Sequence, residues 1–347
     1  MKSMKAVAKL APKPGALELV DLPVPKRRKG EVLLRTLAAG ICGTDVSLWH
    51  WREAIAATYA PDFPLILGHE FAGEVVECDA NARVSVGDIV AVNPQVGCGQ
   101  CICCLQGRPA LCDKRKFMGG NLPGGWAEYA VVPEQNCYRL LEGTDPSVAP
   151  LLEPFTVAYH AVCERVQPRP GDTVAVIGAG PIGLFILLLA KASGAEKVFV
   201  SGLGSDAGRL RLAEGLGAIP INVDEQDFTE TIREFSPEGA HVIYETSASP
   251  AALKQAVQSV SKGGSIGVLG LCHMESTLES LPIVTREISI TGSRGYNDIT
   301  WNRMLPMVKM LSSDMLKLVT HELKLEQYET ALNRVEERRG AKILLRP

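Results

Sequence analysis

The feature that most constrains the fold is the segment VAVIGAGPIG at residues 174–183, which places a G-x-G-x-x-G motif directly after an apolar run. In this motif the first glycine permits a tight turn, the second lets a pyrophosphate approach the backbone, and the third lets helix and strand pack closely. The N-terminus of the following helix then faces the anion. Glycine turns are common, so the alternative for the motif alone is a plain structural turn.

The surroundings of the motif decide between these alternatives. From Pro170-Gly171 onward, apolar strands alternate with helical segments, which predicts a doubly wound parallel sheet and so an α/β fold. The predicted strands are 173–177, 197–200, 221–223, 241–245 and 265–269, and the predicted helices lie near 182–192, 209–216, 228–235 and 250–261. In this context the motif predicts a dinucleotide site. Its residues are Gly178, Gly180, Pro181, Ile182 and Gly183.

The end of the next strand bears on which dinucleotide binds. NAD enzymes place an acidic residue there to hold the ribose hydroxyls, but Gly202 occupies that position. Ser201, Ser205 and Arg209 can instead bind a 2′-phosphate, which gives NADP a slight preference over NAD. Alternatively, Arg209 is a solvated helix residue, Asp206 caps the helix, and the loop accepts either cofactor.

The first part of the chain has a different pattern. Short β-rich runs at 32–37, 72–78, 88–92 and 127–132 alternate with Gly/Pro turns, which predicts a β-rich, barrel-like domain over residues 1–152. The nucleotide-binding domain is expected over 153–292. Residues 293–347 are expected to return to the first domain through a helix at 301–311, a short segment at 318–323, a helix at 325–335 and a strand at 342–345.

Charge and composition exclude several classes of protein. A net charge of −3 and a pI near 6.1 offer no basic field for nucleic acid or anionic lipid. The most apolar stretch, 174–190, is interrupted by glycine and proline and is shorter than the ~20 residues of a membrane span. The N-terminal residues lack a secretory leader pattern, so we expect a cytoplasmic protein. In that reducing compartment, ten cysteines favour metal binding or burial over disulfides.

Half of those cysteines lie in one lobe, at about residues 94–115. Cys98, Cys101, Cys104 and Cys112 have the spacing C-x₂-C-x₂-C-x₇-C, and four thiolates complete a tetrahedral zinc shell with no position for water, which marks a structural site. The alternatives are a redox switch or an iron–sulfur cluster. Cys103 is left over.

A second group of candidate ligands is dispersed along the chain. Cys42, His69, Glu70 and Glu153 provide a mixed sulfur, nitrogen and oxygen set suited to a catalytic zinc, which keeps a position for water or substrate. Each residue also has a simpler explanation: Cys42 as a buried thiol, His69 as a core histidine, and Glu153 as a carboxylate at a helix N-terminus.

The whole chain resembles the zinc-containing medium-chain dehydrogenases, and most closely their polyol (sorbitol/iditol) and threonine dehydrogenase branch. The resemblance rests on the cysteine lobe, the glycine motif and the segments GICGTD at 40–45, GHEFAG at 68–73, GWAEY at 125–129 and Glu153-Pro154. It implies a GroES-like β-barrel catalytic domain followed by a Rossmann domain. It also implies one catalytic and one structural zinc per subunit and a homodimer or homotetramer. The cofactor site it implies extends to Leu269, Leu271 and Ser293.

The resemblance implies a role for each residue of the dispersed group. Cys42 and His69 are similar to zinc ligands of the family, Glu70 and Glu153 to ligands that exchange with water, and Thr44 to the hydroxyl that passes on the substrate proton. Relatives continue the proton relay with a histidine where this chain has Ser47. His50 lies three residues further on, and its simpler interpretation is a solvated or loop histidine.

These roles imply the reversible NAD(P)-dependent oxidation of a secondary alcohol, namely a polyol, a sugar alcohol or a hydroxy acid derivative. An L-threonine-type dehydrogenase is the alternative within this chemistry, a zinc-free quinone or enoyl reductase is a second, and a non-catalytic nucleotide- or metal-sensing protein is a third. The small-molecule substrate is expected to contact Trp49, Trp51, Tyr59, Phe117 and Arg294, although these are equally explained as core residues and a surface arginine.

The subunit interface has one candidate in the sequence. Residues 287–291 alternate in the manner of an exposed edge strand, which in this family pairs across a dimer. A strand inside the sheet is the simpler alternative.

Overall fold

The computed structural model describes residues 2–347, apart from the side chain of residue 56. The chain divides into two compact units. The first comprises Met1–Glu153 and Asn297–Pro347, and the second comprises Pro154–Tyr296. The first unit is therefore built from two segments that are separated in sequence by the whole of the second.

The N-terminal segment of the first unit is rich in short strands, as its alternating pattern predicts. Its strands are β1 (Ser3–Lys9), β2 (Leu17–Pro23), β3 (Glu31–Gly40), β4 (Leu65–Ile66), β5 (Glu70–Glu77), β6 (Ile89–Val92), β7 (Gln95–Val96), β8 (Lys116–Phe117), β9 (Tyr129–Pro133) and β10 (Cys137–Arg139). Its helices are α1 (Gly43–Trp49), α2 (Glu53–Tyr59) and α3 (Ile102–Leu105). Helix α4 (Leu152–Tyr159) begins in the last two residues of this segment, and its remainder and the π-helical turn at His160–Arg165 belong to the second unit.

The second unit contains the predicted alternation of strands and helices. Its strands are β11 (Thr173–Ile177), β12 (Lys197–Gly202), β13 (Ile219–Asn222), β14 (Ala240–Glu245), β15 (Val260–Val268) and β16 (Ser289–Gly292). Its helices are α5 (Pro181–Ala192), α6 (Ala207–Gly215), α7 (Phe228–Phe235), α8 (Pro250–Ser259) and α9 (Ser280–Thr285). All six strands pair in parallel in the order β13-β12-β11-β14-β15-β16, which confirms the doubly wound parallel sheet.

The C-terminal segment adds α10 (Asp298–Lys317), β17 (Val319–Lys324), α11 (Tyr328–Glu336) and β18 (Lys342–Arg346). Helix α10 extends beyond the predicted 301–311. It begins after Asn297, whose backbone amide donates to Thr300 Oγ1 (3.2 Å), and its polar last turns are held by the fully buried Met315. One inward-facing residue in a polar stretch is too weak a periodic signal to predict those turns.

The first unit is organised around a seven-stranded sheet ordered β10-β6-β5-β3-β18-β17, with β9 also paired to β3. Strand β18 lies antiparallel to β3, so the C-terminal segment completes a sheet begun by the N-terminal one. Trp126, Phe71 and Ile343 are among the side chains of the buried core. Within residues 2–347, no helix combines the length and apolar character needed to cross a membrane.

Candidate active site and metal sites

The pairing of β3 with β5 assembles the dispersed group of candidate ligands. Gly40 lies opposite Glu70 in the ladder, so the chain leaving β3 runs beside the chain entering β5. Cys42 follows β3 as the N-cap residue of α1, and His69 immediately precedes β5. A β-carbon at residue 40 would collide with the Glu70 carboxylate, so glycine is required for this close approach.

Three of the four predicted residues meet directly. One sulfur, nitrogen or oxygen atom from each of Cys42, His69 and Glu70 lies within 4.8 Å of the others. His69 and Glu70 are buried and Cys42 is half-buried, and these are donor atoms that zinc accepts. Glu153, in the first turn of α4, is buried but does not belong to this three-residue cluster. Its charge nevertheless acts on Tyr59 and Lys342, which places it in the same neighbourhood.

Asp45 hydrogen-bonds to the backbone beside two members of this cluster. It is fully buried in the first turn of α1, where Oδ2 accepts a hydrogen bond from the Cys42 amide (2.8 Å) and Oδ1 accepts one from Gly68 (3.3 Å). His69 Nδ1 lies 3.4 Å from Asp45 Oδ1, close enough for an ion pair but outside hydrogen-bond geometry. Burial would lower the pKa of His69, but Asp45 and Cys42 outweigh it and hold the pKa well above its usual value. The cluster is thus a site that favours positive charge, as a metal site requires.

Lys342 provides the counter-charge to Glu70. Its ammonium forms an ion pair with Glu70 Oε2 and donates to the Ile41 carbonyl (3.1 Å), and both side chains of the pair are almost completely buried. Burial would lower the pKa of Lys342, whereas the charges of Glu70 and Cys42 raise it above its usual value. Glu70 is therefore held by a fixed cation on the side of β18.

The four lobe cysteines also converge. Their sulfur atoms all lie within 4.8 Å of one another, and Cys98 Sγ is 4.0 Å from Cys104 Sγ. The hairpin of β7 and β8 closes the neck of the lobe. A β-carbon at Gly97 would lie 2.6 Å from Cys104 Sγ, so this glycine leaves room for the sulfur cluster. All ten cysteines are free thiols within the described residues.

The lobe cysteines differ in their ionisation. Backbone amides of Gln100 and Cys101 donate to Cys98 and lower its pKa to about 6, whereas burial raises the pKa of Cys104 to about 12. Amide donation to sulfur is the environment that stabilises a thiolate, the form in which cysteine binds metal. Cys103 is half-buried and lies outside the four-sulfur cluster.

The glycine motif forms the turn between β11 and α5. Gly178 has φ +112°, α5 begins at Pro181 with Gly180 as its N-cap, and a β-carbon at Gly183 would collide with the Gly178 carbonyl. Thr246, which the sequence interpretation did not include, donates to the Ile177 carbonyl (3.0 Å) beside this turn. Four adjacent strands, β11, β14, β15 and β16, end at the same edge of the sheet. The residue that follows the last paired position of each strand is, in that order, Gly178, Thr246, Leu269 and Ser293. They share the carboxyl edge, where such sheets bind ligands. Leu271 lies just beyond it and is exposed.

Comparison with known proteins gives the family. Residues 28–142 match the alcohol dehydrogenase GroES-like domain family, and residues 181–312 match the zinc-binding dehydrogenase family. L-threonine 3-dehydrogenase of Pyrococcus horikoshii is 36% identical over 351 residues, with 99% of each chain covered. A zinc-binding dehydrogenase of Sinorhizobium meliloti bound to NADP matches with a TM-score of 0.90 and 28% identity over both whole chains. The 2R,3R-butanediol dehydrogenase of Bacillus subtilis matches with a TM-score of 0.89 and 30% identity, covering 99% of this chain and 100% of that one.

This chain belongs to the zinc-containing medium-chain alcohol dehydrogenase family. The family and the fold class, a GroES-like domain with a Rossmann domain, are thereby confirmed, as is the expectation of an oxidoreductase acting on CH–OH groups.

The end of β12 in the dehydrogenase differs from its sequence interpretation. A β-carbon at Gly202 would lie 3.0 Å from Asp206 Cβ and 3.4 Å from Asp206 Oδ2, so the Asp206 side chain folds back over the glycine and beside Ala179 of the glycine motif. Arg209 is buried and donates to Asp206 Oδ1 (3.1 Å). Ser201 is buried with its hydroxyl toward the Val176 carbonyl, and Ser205 is exposed. Position 202 thus has no carboxylate of its own, and the Asp206 side chain lies beside it.

The five predicted substrate residues of the dehydrogenase lie in three places. Tyr59 and Phe117 stack at 5.3 Å, and Phe117 contacts the His69 ring at 5.1 Å. Trp51 lies instead against Phe63 and beneath the Lys9 ammonium, which donates a hydrogen bond to the Trp49 carbonyl (3.0 Å). Arg294 is exposed in the second unit, just after β16.

The proton-relay residues all lie on or next to α1. Thr44 is half-buried in its first turn, two residues from Cys42, and Ser47 is buried in its middle. His50 follows the helix, and its Nε2 lies 2.9 Å from Glu336 Oε1 of α11. His50 is thus a half-buried partner of a carboxylate rather than a solvated loop residue.

Two residues that contact the candidate ligands were not predicted from the sequence. Asp45 stood inside the GICGTD segment without a role, and Lys342 was counted only as part of an apolar strand. For both Asp45 and Lys342, the sequence contains a pattern that indicates a buried partner. An acid three residues after a helix N-cap is placed to bond back to the cap amide, and a lysine heading the run KILL needs a buried partner.

Proposed function

We propose that this dehydrogenase catalyses the reversible, zinc- and NAD(P)-dependent oxidation of a secondary alcohol to a ketone. The observation that carries the proposal is the convergence of Cys42, His69 and Glu70 within 4.8 Å. The proposed substrates are polyols, sugar alcohols and hydroxy acid derivatives. Glu153 is proposed as a further ligand and the lobe cysteines as a structural zinc site, which makes two zinc ions per subunit.

The residues of the first unit suit this chemistry. A bound zinc ion supplies Lewis acidity that favours the alkoxide form of the alcohol, and a bound nicotinamide supplies the hydride acceptor. Thr44 places a hydroxyl two residues from Cys42, where it can take the alcohol proton. Asp45 fixes the orientation of His69, and the Lys342 ammonium holds Glu70 in place.

A second candidate is an L-threonine 3-dehydrogenase activity. The protein of that name from Pyrococcus horikoshii is 36% identical over almost the whole length of both chains, which supports this candidate. Both candidates use the same oxidation of a secondary alcohol, so they differ only in the groups attached to the reacting carbon.

For the cofactor we propose NAD in preference to NADP. The sequence pattern slightly favours NADP, because Gly202 stands in place of the acid and Ser201, Ser205 and Arg209 offer groups for a 2′-phosphate. The placement of Asp206 over Gly202 returns a carboxylate to the strand end, and its ion pair offsets the charge of Arg209. A carboxylate accepts hydrogen bonds from ribose hydroxyls and repels a 2′-phosphate.

For the assembly we propose a homodimer, or a homotetramer built from dimers. Strand β16 is the last strand of the parallel sheet, and its residues are exposed or half-buried. In the described part of the chain, β15 is its only strand partner. The opposite edge of β16 is therefore available to a second copy.

The proposed function is tested by Cys42→Ser. Because the variant removes a thiolate ligand, we expect loss of one zinc per subunit and a fall in alcohol oxidation of about 10³-fold or more. Zinc is measured by elemental analysis, and turnover by nicotinamide absorbance with polyols, hydroxy acids and L-threonine.

Cys103→Ser is the matched control. This thiol lies outside both clusters, so its zinc content, turnover and NADH binding should equal those of the unmodified protein. Undiminished oxidation by Cys42→Ser would contradict the proposed function.

A further inference from the structure

Arg115 lies against Phe117, whose ring contacts the proposed zinc ligand His69, and against the Tyr59 ring that stacks on Phe117. Its guanidinium carbon is 5.2 Å from the centre of the Phe117 ring and 5.9 Å from that of the Tyr59 ring. The residue sits just before β8, at the neck of the cysteine lobe, and is half-buried. The sequence interpretation included both rings in the substrate site but not this arginine.

The two rings connect Arg115 to the metal cluster. Phe117 contacts the guanidinium on one side and the His69 ring, 5.1 Å away, on another. Burial raises the pKa of Tyr59. The charges of His69 and Arg115 act to lower this pKa, and those of Cys42 and Glu153 act to raise it. The Tyr59 phenol therefore lies within electrostatic range of Arg115 and of three of the four proposed ligands.

The geometry of the guanidinium group determines which ligand groups Arg115 can bind beside these rings. Ring stacking uses the face of the group, whereas its five N–H donors point outward in its plane. That planar fork matches the two oxygens of a carboxylate or phosphate, which it can bind in a bidentate manner. A substrate anion held beside Phe117 and Tyr59 would therefore meet this cation.

We propose that Arg115 binds a carboxylate or phosphate group of the substrate. The dehydrogenase then prefers hydroxy acids, hydroxy amino acids or sugar-alcohol phosphates to neutral polyols. This inference rests on the proposed function and narrows it. It assigns Arg115 as a residue that determines specificity and leaves the oxidation step itself unchanged.

The test compares Arg115→Met and Arg115→Lys with the unmodified, zinc-loaded protein. The substrates are L-threonine, 3-hydroxybutyrate, sorbitol 6-phosphate and neutral 2,3-butanediol. With Arg115→Met, we expect kcat/KM for the best anionic substrate to fall about 100-fold, as for the loss of hydrogen bonds to a charged group. The value for butanediol should change less than about 3-fold, and Arg115→Lys should recover part of the loss because it keeps the charge. The ranking of the three anionic substrates distinguishes a carboxylate from a phosphate.

Lys116→Met is the control, since it removes a neighbouring exposed cation that contacts neither ring. A purely structural role for Arg115 would lower kcat/KM for butanediol and for the anionic substrates alike, and would overturn the inference. Faster oxidation of butanediol than of every anionic substrate by the unmodified protein would also overturn it, while leaving the proposed function intact. Failure of the zinc-loaded protein to oxidise any of the four would contradict the proposed function and this inference with it.

Discussion

Each of the three clustered ligand candidates, Cys42, His69 and Glu70, has a neighbouring group of opposite charge or a hydrogen bond. Asp45 binds the Cys42 amide and faces His69, and Lys342 binds Glu70. Such outer partners set the orientation of ligands and tune their affinity for metal. They also tie the site to the stability of the first unit, because a buried charge without its partner is costly.

Lys342→Met tests that coupling. The substitution keeps much of the side-chain volume but leaves Glu70 buried without its cation, so the free energy of unfolding of the first unit should fall by about 3–5 kcal/mol. All four tryptophans, Trp49, Trp51, Trp126 and Trp301, belong to the first unit, so urea unfolding followed by tryptophan fluorescence reports that unit selectively.

The double variant Lys342→Met/Glu70→Gln is the comparison for this experiment. Removing both charges should restore more than half of the lost stability, because no unpaired ion remains in the interior. A double variant less stable than Lys342→Met would show that the ion pair does not account for the effect.

Individual residues of the site were predictable to different degrees. Cys42, His69 and Glu70 were expected together, and the pairing of β3 with β5 brings them together. The partnership of Lys342 with Glu70 was not, because contact between residues 272 positions apart depends on which strands pair. Arg115 escaped notice for the same reason: its relation to His69 passes through the Phe117 ring, and sequence spacing does not encode that contact. Asp45 was missed although its position three residues after the N-cap Cys42 is a local signal.

At the scale of elements, strands and helices of the second unit were more predictable than the loops between them. The strand at Thr173–Ile177 and the helix at Phe228–Phe235 were predicted to the residue, because buried parallel strands and amphipathic helices have strong patterns. The loop after β12 was less predictable. Position 202 lacks a carboxylate, and the turn at Gly204–Asp206 places the Asp206 side chain beside it from four residues further on.

Asp206→Asn tests the role of that loop in cofactor choice. It removes the negative charge beside the glycine motif and the ion-pair partner of Arg209. NADH should bind about 10-fold more weakly through loss of a charged acceptor, and NADPH should bind more tightly than before. Dissociation constants are measured from nicotinamide fluorescence.

Asp227→Asn serves as the control, since this acid caps α7 and accepts from the Glu230 amide (2.8 Å), away from the strand end. It should leave the ratio of NADH to NADPH affinity unchanged. Tighter binding of NADPH than of NADH by the unmodified protein would contradict the proposed preference.

At the scale of the whole molecule, the proposed assembly depends on β16. Ile290 is a partly exposed apolar residue on this edge strand, and a two-fold axis would bring it close to its own copy. Ile290→Lys should therefore place like charges together and dissociate the dimer. Light scattering should give a multiple of 37.3 kDa for the unmodified protein and a smaller assembly for the variant.

Met310→Lys is the matched control because it adds a lysine at an exposed apolar residue of the first unit, on α10. Its mass should equal that of the unmodified protein. A 37.3 kDa particle for the unmodified protein at micromolar concentration would count against the assembly.

The interrupted first unit has a consequence for synthesis on the ribosome. The second unit is continuous from Pro154 to Tyr296. In the first unit, by contrast, Glu70 has no ion-pair partner until Lys342, 272 positions later, has been translated. At about 5–20 residues per second, that interval lasts roughly 15–50 s. During it the nascent chain contains Cys42, His69 and Glu70 but neither strand β18 nor the cation that accompanies Glu70. The nucleotide-binding unit can therefore complete its folding first, and the metal cluster is completed only as the last segment of the first unit is translated.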